Sequence, residues 1–177
     1  MQVYDALESD LHDNGLNGSR YAEKDYFGNA VCLNERGKIQ AKSMSEVIKF
    51  SKLPYDLVVS SPSCRARQTS NLAFGGYKEM YRTLVHPGPY LEKDNRNSYL
   101  NNFLLKLPIS EGTNTIISAH NSVIRNALFD NKKEGLKQLK LEEGGFYVIA
   151  KKGKKLLLEH EFHRFKDFSK NFFIRNH

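Results

Sequence analysis

A four-residue apolar run, Leu57-Val58-Val59-Ser60, passes directly into helix-start chemistry, the succession from which α/β folds are built. Ser61 and Pro62 follow it, and a Ser cap with Pro in the first turn is a common way to open a helix. The spacing of Ala66, Thr69, Leu72 and Ala73 predicts a helix with one apolar side. Residues 115–119 (TIISA) repeat the pattern, with a second helix expected over residues 122–128. Strands feeding straight into helices need crossover connections, so the sheet should be mostly parallel and covered on both faces. The expected fold class is therefore α/β, as a three-layer α/β/α sandwich in one domain over residues 1–177.

The other elements follow the same logic. Asn34 is placed to cap a helix in which Ala41, Met44, Val47 and Ile48 recur at helical spacing before Pro54 stops it. A strand is expected over residues 80–85, a loop at 86–89, and a helix carrying Tyr99, Leu100, Phe103 and Leu104 that ends near Pro108. Residues 146–150 and 156–161 read as a strand pair, joined by a solvated hairpin turn at Lys151-Lys152-Gly153-Lys154-Lys155. The tail is expected to pack Phe162, Phe165, Phe168, Phe172 and Phe173 on the body. Before residue 33 the pattern weakens: Val3, Tyr4, Ala6 and Leu7 suit a short strand, and residues 11–19 are turn chemistry. No internal repeat, linker or second domain is visible.

Charge narrows the partners only partly. The chain of 177 residues carries 27 Lys and Arg against 20 Asp and Glu, a net +7 that favours anionic partners. Apart from the run at residues 151–155, expected as a solvated turn, its basic residues are spread along the chain, so no nucleic-acid surface is expected. No run approaches the roughly 18 apolar residues of a membrane span. No signal segment is visible, which makes the cytoplasm the expected compartment; a periplasmic or secreted form would follow if an upstream segment were missing. Cys32 and Cys64 permit one disulfide without requiring it, and their spacing excludes a zinc ribbon. A small buried thiol is the expectation for Cys64, with redox sensitivity or pairing as the alternative. No metal or other cofactor is expected.

The two strand-to-helix junctions carry the chemistry. Ligands of open α/β sheets bind beyond the carboxyl ends of strands, where helix N-termini present free N–H groups. Arg65 and Arg67 stand in the first turns of the first helix, where the macrodipole favours anions over cations. A bound anion offsets that cost, and a planar guanidinium suits phosphate oxygens; solvent-exposed arginines are the alternative. His120 lies just past the second strand, placed for a hydrogen bond or proton transfer to a phosphoryl group, or for a purely structural role.

At these residues the chain resembles the histidine phosphatase superfamily, with its phosphoglycerate-mutase-like fold. Residues 33–41 (LNERGKIQA) are similar to the family's Leu-x-x-x-Gly-x-x-Gln-Ala helix, and residues 60–69 (SSPSCRARQT) to its Ser-Ser-Pro-x-x-Arg-Ala-x-Gln-Thr motif. Residues 115–125 (TIISAHNSVIR) resemble the strand bearing the second catalytic histidine, and residues 143–146 (EGGF) the segment that follows. The resemblance covers about residues 30–150. It implies that Arg65 and His120 are catalytic and bind phosphate, with Ser61 and Asn121 beside them. It also implies phosphomonoester hydrolysis through a phosphohistidine, without metal, on a phosphorylated small molecule or a phosphoprotein.

The family's nucleophile lies in an Arg-His-Gly or Arg-His-Ala motif, and no Arg-His pair occurs in this sequence. Arg20-Tyr21-Ala22-Glu23 is a near match with tyrosine in the nucleophile's place, and His12 is the one histidine in the first 80 residues. Residues 2–10 have a strand-like start but neither Arg nor His. Three readings stay open: a chain lacking the upstream motif, a degenerate member that binds phosphorylated ligands without turnover, or a replacement histidine. Glu92 and Asp94 occupy the interval where larger members carry a general acid. Oligomeric state is not legible.

Overall fold

The computed structural model of the chain describes residues 32–84, 93–121, 124 and 141–169. Helix α1 spans Glu35–Ser51 and is capped as its sequence dictates, the Asn34 side chain accepting from the Gly37 N–H at 2.9 Å. Gly37, Ala41 and Ile48 are its buried residues, and Lys52 closes it in the left-handed region, before Pro54. Strand β1 is Leu57–Ser60 and helix α2 is Cys64–Phe74. Strand β2 is only Glu79–Met80, followed by a 3-10 turn at Arg82–Leu84. Helix α3 covers Lys93–Lys106, and strand β3 covers Thr115–Ser118. Strands β4 (Phe146–Lys152) and β5 (Lys155–Phe162) form a hairpin.

Among the described residues three strands make a parallel sheet in the order β2-β1-β3, as the strand-to-helix pattern requires. The register that matters pairs Leu57 with Thr115 and Ser60 with Ser118, so β1 and β3 end level. The Ser61 N–H then donates to the Ser118 carbonyl at 2.8 Å, carrying the ladder one residue past β1. β4 and β5 pair antiparallel, with Gly153 at φ 60° in the two-residue turn between Lys152 and Lys155. The lysine-rich run is thus the expected hairpin turn. Among the described residues the hairpin and the parallel sheet are separate, and Ile117 and Ala119 line a common cavity with Tyr147 and Ile149.

Val59, Leu84, Leu100, Leu104 and Leu107 form the buried core cluster, against which Leu57, Phe103 and Ile117 pack. Lys151 reaches from β4 to the end of α3, its Nζ donating to the Leu105 carbonyl at 3.0 Å and to that of Leu107. A cation there meets the negative end of the helix dipole, although burial pushes its ammonium below the usual lysine range. Phe162, Phe165 and Phe168 gather around Phe146, with ring centroids 4.8, 6.3 and 5.5 Å away. This realises the expected aromatic packing for the described part of the tail; Phe172 and Phe173 lie outside the described residues.

Two expectations need correction. The strand predicted over residues 80–85 stops at Met80, because the chain turns to bury Leu84, whose N–H donates to the Tyr81 carbonyl at 3.0 Å. The helix predicted to open at Ser61-Pro62 begins at Cys64 instead, with Ser63 as its N-cap. Ser61 instead extends the sheet ladder one residue past β1. Of the helix expected over residues 122–128 only Ile124 is described; its N–H donates to the His120 carbonyl at 3.2 Å. No helix among the described residues is long and apolar enough to cross a membrane.

Gly144-Gly145 shows why a small-residue pair precedes β4. A Cβ on Gly145 would meet the backbone carbonyls of Phe162 at 2.8 Å and Glu142 at 2.9 Å, and that of His163 as well. Backbone cannot yield as a side chain can. Gly145→Ala is expected to cost about 2–3 kcal/mol. Gly75→Ala, at φ 80° in open space at the end of α2, should cost about 1 kcal/mol from backbone strain alone. Urea denaturation of the two variants checks the ranking.

Candidate functional site

Because β1 and β3 end level, the residues after them meet at one sheet edge. Ser61 and Ser63 come from the β1–α2 connection, Arg65 from the first turn of α2, and His120 from just beyond β3. All four are buried; Arg65 retains 3% of its surface and His120 7%. The arginine is therefore not the solvent-exposed residue that was the alternative reading.

The contacts define a protonation state. Arg65 Nε donates to His120 Nδ1 at 3.3 Å, and its Nη2 lies 3.0 Å from the same atom. A guanidinium has no acceptor, so Nδ1 must offer its lone pair and the imidazole proton resides on Nε2. Nε2 lies 3.2 Å from Ser61 Oγ and 3.3 Å from Ser63 Oγ, either of which accepts that proton's hydrogen bond. His120 is thus a neutral imidazole, held on one side by a cation and on the other by two hydroxyls. Protonating Nδ1 in place would aim a donor at a donor and set two positive charges in contact.

Ser63 shows how the helix end is used. As N-cap it would normally bond the N–H of the second or third helical residue, but it makes no side-chain cap bond. Its hydroxyl lies instead beside His120 Nε2. The first-turn N–H groups of α2 and the Arg65 guanidinium then form a positive corner next to a neutral histidine. That corner suits a tetrahedral anion.

Further contacts brace the corner. Ser118 Oγ donates to the Ala66 carbonyl at 2.9 Å, pinning the end of β3 to α2. Gln68 Oε1 accepts from the Leu33 N–H at 2.7 Å, and Gln40 Nε2 donates to the Glu143 carbonyl at 3.1 Å. The two glutamines, one in each helical motif, are therefore ties between segments. Tyr147 donates its hydroxyl to Asn121 Oδ1 at 3.1 Å, so the carbonyl of Asn121 faces β4. Cys32 and Cys64 form a disulfide with Cα atoms 4.8 Å apart, which corrects the expected free buried thiol. Closing a loop of this length contributes on the order of 3–4 kcal/mol by constraining the unfolded chain.

The structure brings together Arg65, His120 and Ser61 among the sequence-derived candidates, with Asn121 alongside. His12, Arg20 and Glu92 lie outside the described residues. Asp94 is in α3, and its side chain is not described. Sequence reasoning missed the contact of the Ser63 hydroxyl with His120, and Tyr147, whose partner lies 26 residues away. Among the described residues no group of three or more His, Cys, Asp or Glu is placed to hold a metal ion.

Capping separates Ser63 from Asn34 in a measurable way. Asn34→Ala should cost about 1 kcal/mol of stability, as N-cap losses do. Ser63→Ala should cost less than half of that, since no cap bond is lost and Ser61 still satisfies His120. Equal losses in thermal unfolding would return Ser63 to an ordinary capping role.

No family model and no curated protein matches the sequence. Among solved structures, the phosphoglycerate mutase from Thermus thermophilus is similar, with a TM-score of 0.51 and 17% identity over 75% of this chain and 84% of that one. TTHB049 from the same organism has 20% identity over 55% of this chain and 68% of its own, at a TM-score of 0.42 that carries no weight. At these identities the likeness is one of architecture alone. The described chain has a phosphoglycerate-mutase-like α/β fold.

Proposed function

We propose that this chain is a phosphomonoester hydrolase of the histidine phosphatase type, in which Arg65 and His120 bind and stabilise the transferred phosphoryl group. The observation that carries the reading is the buried Arg65–His120 contact at the N-terminus of α2, with the Ser61 and Ser63 hydroxyls behind it. In this reading the phosphoryl group inserts between the guanidinium and the imidazole. Arg65 gives two parallel hydrogen bonds to its oxygens, and the α2 N–H groups take a third. Charge that builds on those oxygens is met by donors already in place. Asn121, its carbonyl held by Tyr147, keeps its amide N–H groups for the same oxygens. The three-layer sandwich, a single domain over residues 1–177 and a cytoplasmic location are parts of the same proposal, with a periplasmic or secreted location as the alternative.

The phosphohistidine step needs a nucleophile besides His120. The described residues include only His160 and His163 as other histidines, both on or just after β5 and both at least partly exposed. The lack of any Arg-His pair in the sequence favours a second reading, in which the pocket binds phosphorylated metabolites or phosphoproteins without turning them over. Hydrolysis of an aryl phosphate, followed by trapping of an acid-labile phosphoenzyme, separates the two. Turnover with a trapped phosphohistidine establishes the hydrolase, and phosphate binding without turnover establishes the binding protein. Arg65→Ala should lower phosphate affinity at least about tenfold, since it removes a charge-assisted pair of bonds. Unchanged affinity would remove the pocket from both readings.

The tautomer supplies a second test. An anion that takes the guanidinium away from Nδ1 gives that atom a reason to hold a proton, so binding should be accompanied by proton uptake. Sulfate, which does not titrate near neutrality, isolates the protein's contribution. Calorimetry in buffers of different ionisation enthalpy should detect net proton uptake on binding. His120→Gln should abolish the uptake while weak binding remains. Sulfate binding with no uptake in the unaltered chain would mean that His120 stays neutral.

A further inference from the structure

The disulfide ties Cys32 to the first residue of α2, the helix whose start carries Arg65, and has no part in the function given above. Cys64 is the first residue of α2, between Ser63 and Arg65, and it is 6% exposed. Cys32 is half-buried, next to Leu33, whose N–H is held by Gln68. The two sulfurs are therefore unequal in both access and chemistry. Cys32 Sγ belongs to the more accessible residue. Cys64, when released, would be a thiolate at a helix N-terminus and next to Arg65 in the chain, an environment that lowers a thiol's proton affinity. A sulfur that leaves easily as thiolate makes a disulfide exchange readily.

We propose that Cys32–Cys64 is a thiol–disulfide exchange site whose reduction weakens anion binding in the adjoining pocket, with a dithiol as the reductant. The reductant's thiolate attacks Cys32 Sγ, and a mixed disulfide forms as the Cys32–Cys64 bond breaks and its electron pair leaves on Cys64. The second thiol of the reductant closes on the first and releases Cys32. Two electrons have passed to the protein, and the reductant departs as a cyclic disulfide. The Cys64 thiolate now stands at the N-terminus of α2, the helix end that a phosphate needs, so the two negative charges compete for it. The oxidised protein binds anions and the reduced protein repels them. The inference rests on the phosphate-pocket reading and extends it to regulation.

The test measures inorganic phosphate affinity for the full chain, oxidised and after treatment with dithiothreitol, and for Cys32→Ser and Cys64→Ser. Both variants lose the same cross-link and its stabilisation, but only Cys32→Ser keeps a thiolate at the head of α2. Reduction should weaken binding about tenfold or more, as a unit charge placed close to an anion does. Cys32→Ser should match the reduced protein. Cys64→Ser should stay near the oxidised value and ignore dithiothreitol. Equal affinity before and after reduction would overturn the proposal, as would a disulfide that withstands dithiothreitol in the folded protein. Equal weakening in the two variants would also overturn it, by tracing the loss to the missing cross-link rather than to charge. If the oxidised chain binds no phosphate, the pocket reading itself fails and this proposal falls with it.

Discussion

The parallel pairing of β1 with β3, in the register that sets Ser60 opposite Ser118, holds the whole site together. A one-residue slip would turn the alternate side chains of β3 to the opposite face and carry His120 away from Ser61 and Arg65. The register is held where it matters by the Ser61 N–H to Ser118 carbonyl bond and by Ser118 Oγ on the Ala66 carbonyl. Behind these bonds, Val59 and Ile117 sit opposite one another in the register, Val59 in the buried core and Ile117 packed against it. Burial of this kind contributes roughly 1.5–3 kcal/mol per large apolar side chain, so the register is costly to lose.

The site shows how a helix start can be turned to another use. α2 lacks an acidic residue in its first turn, its N-cap hydroxyl makes no capping bond, and a guanidinium sits in its first turn. Each choice lowers helix stability. The losses are offset by ties to other segments: the disulfide from Cys64 to Cys32, the Gln68 bond to Leu33, and close packing against α1. Gln40 plays the equivalent part for the segment before β4, where Gly144 leaves room for its amide. The motif glutamines therefore make the geometry of the junctions possible through their ties to backbone.

Much of this was legible along the chain because it is local. The Asn34 cap, the apolar spacing of α1, the Pro62 junction and the lysine-rich turn each depend on residues within a few positions of one another. The boundary errors came where distant contacts compete with local preference. Ser61 reads as a cap until β3 claims its N–H, and residues 80–85 read as a strand until the core claims Leu84. Ser63 and Tyr147 were invisible for the same reason, since their partners His120 and Asn121 are 57 and 26 residues away.

The α/β class, the order of the described strands and helices, and the candidacy of Arg65 and His120 could all be read along the chain, because periodicity and motif spacing are properties of the chain alone. The burial of Arg65 against His120, the neutral imidazole with its proton on Nε2, and the joining of the two cysteines required the folded molecule. Those facts depend on which atoms meet across a sheet edge. Which atoms meet is set by register and packing between segments that the chain keeps far apart.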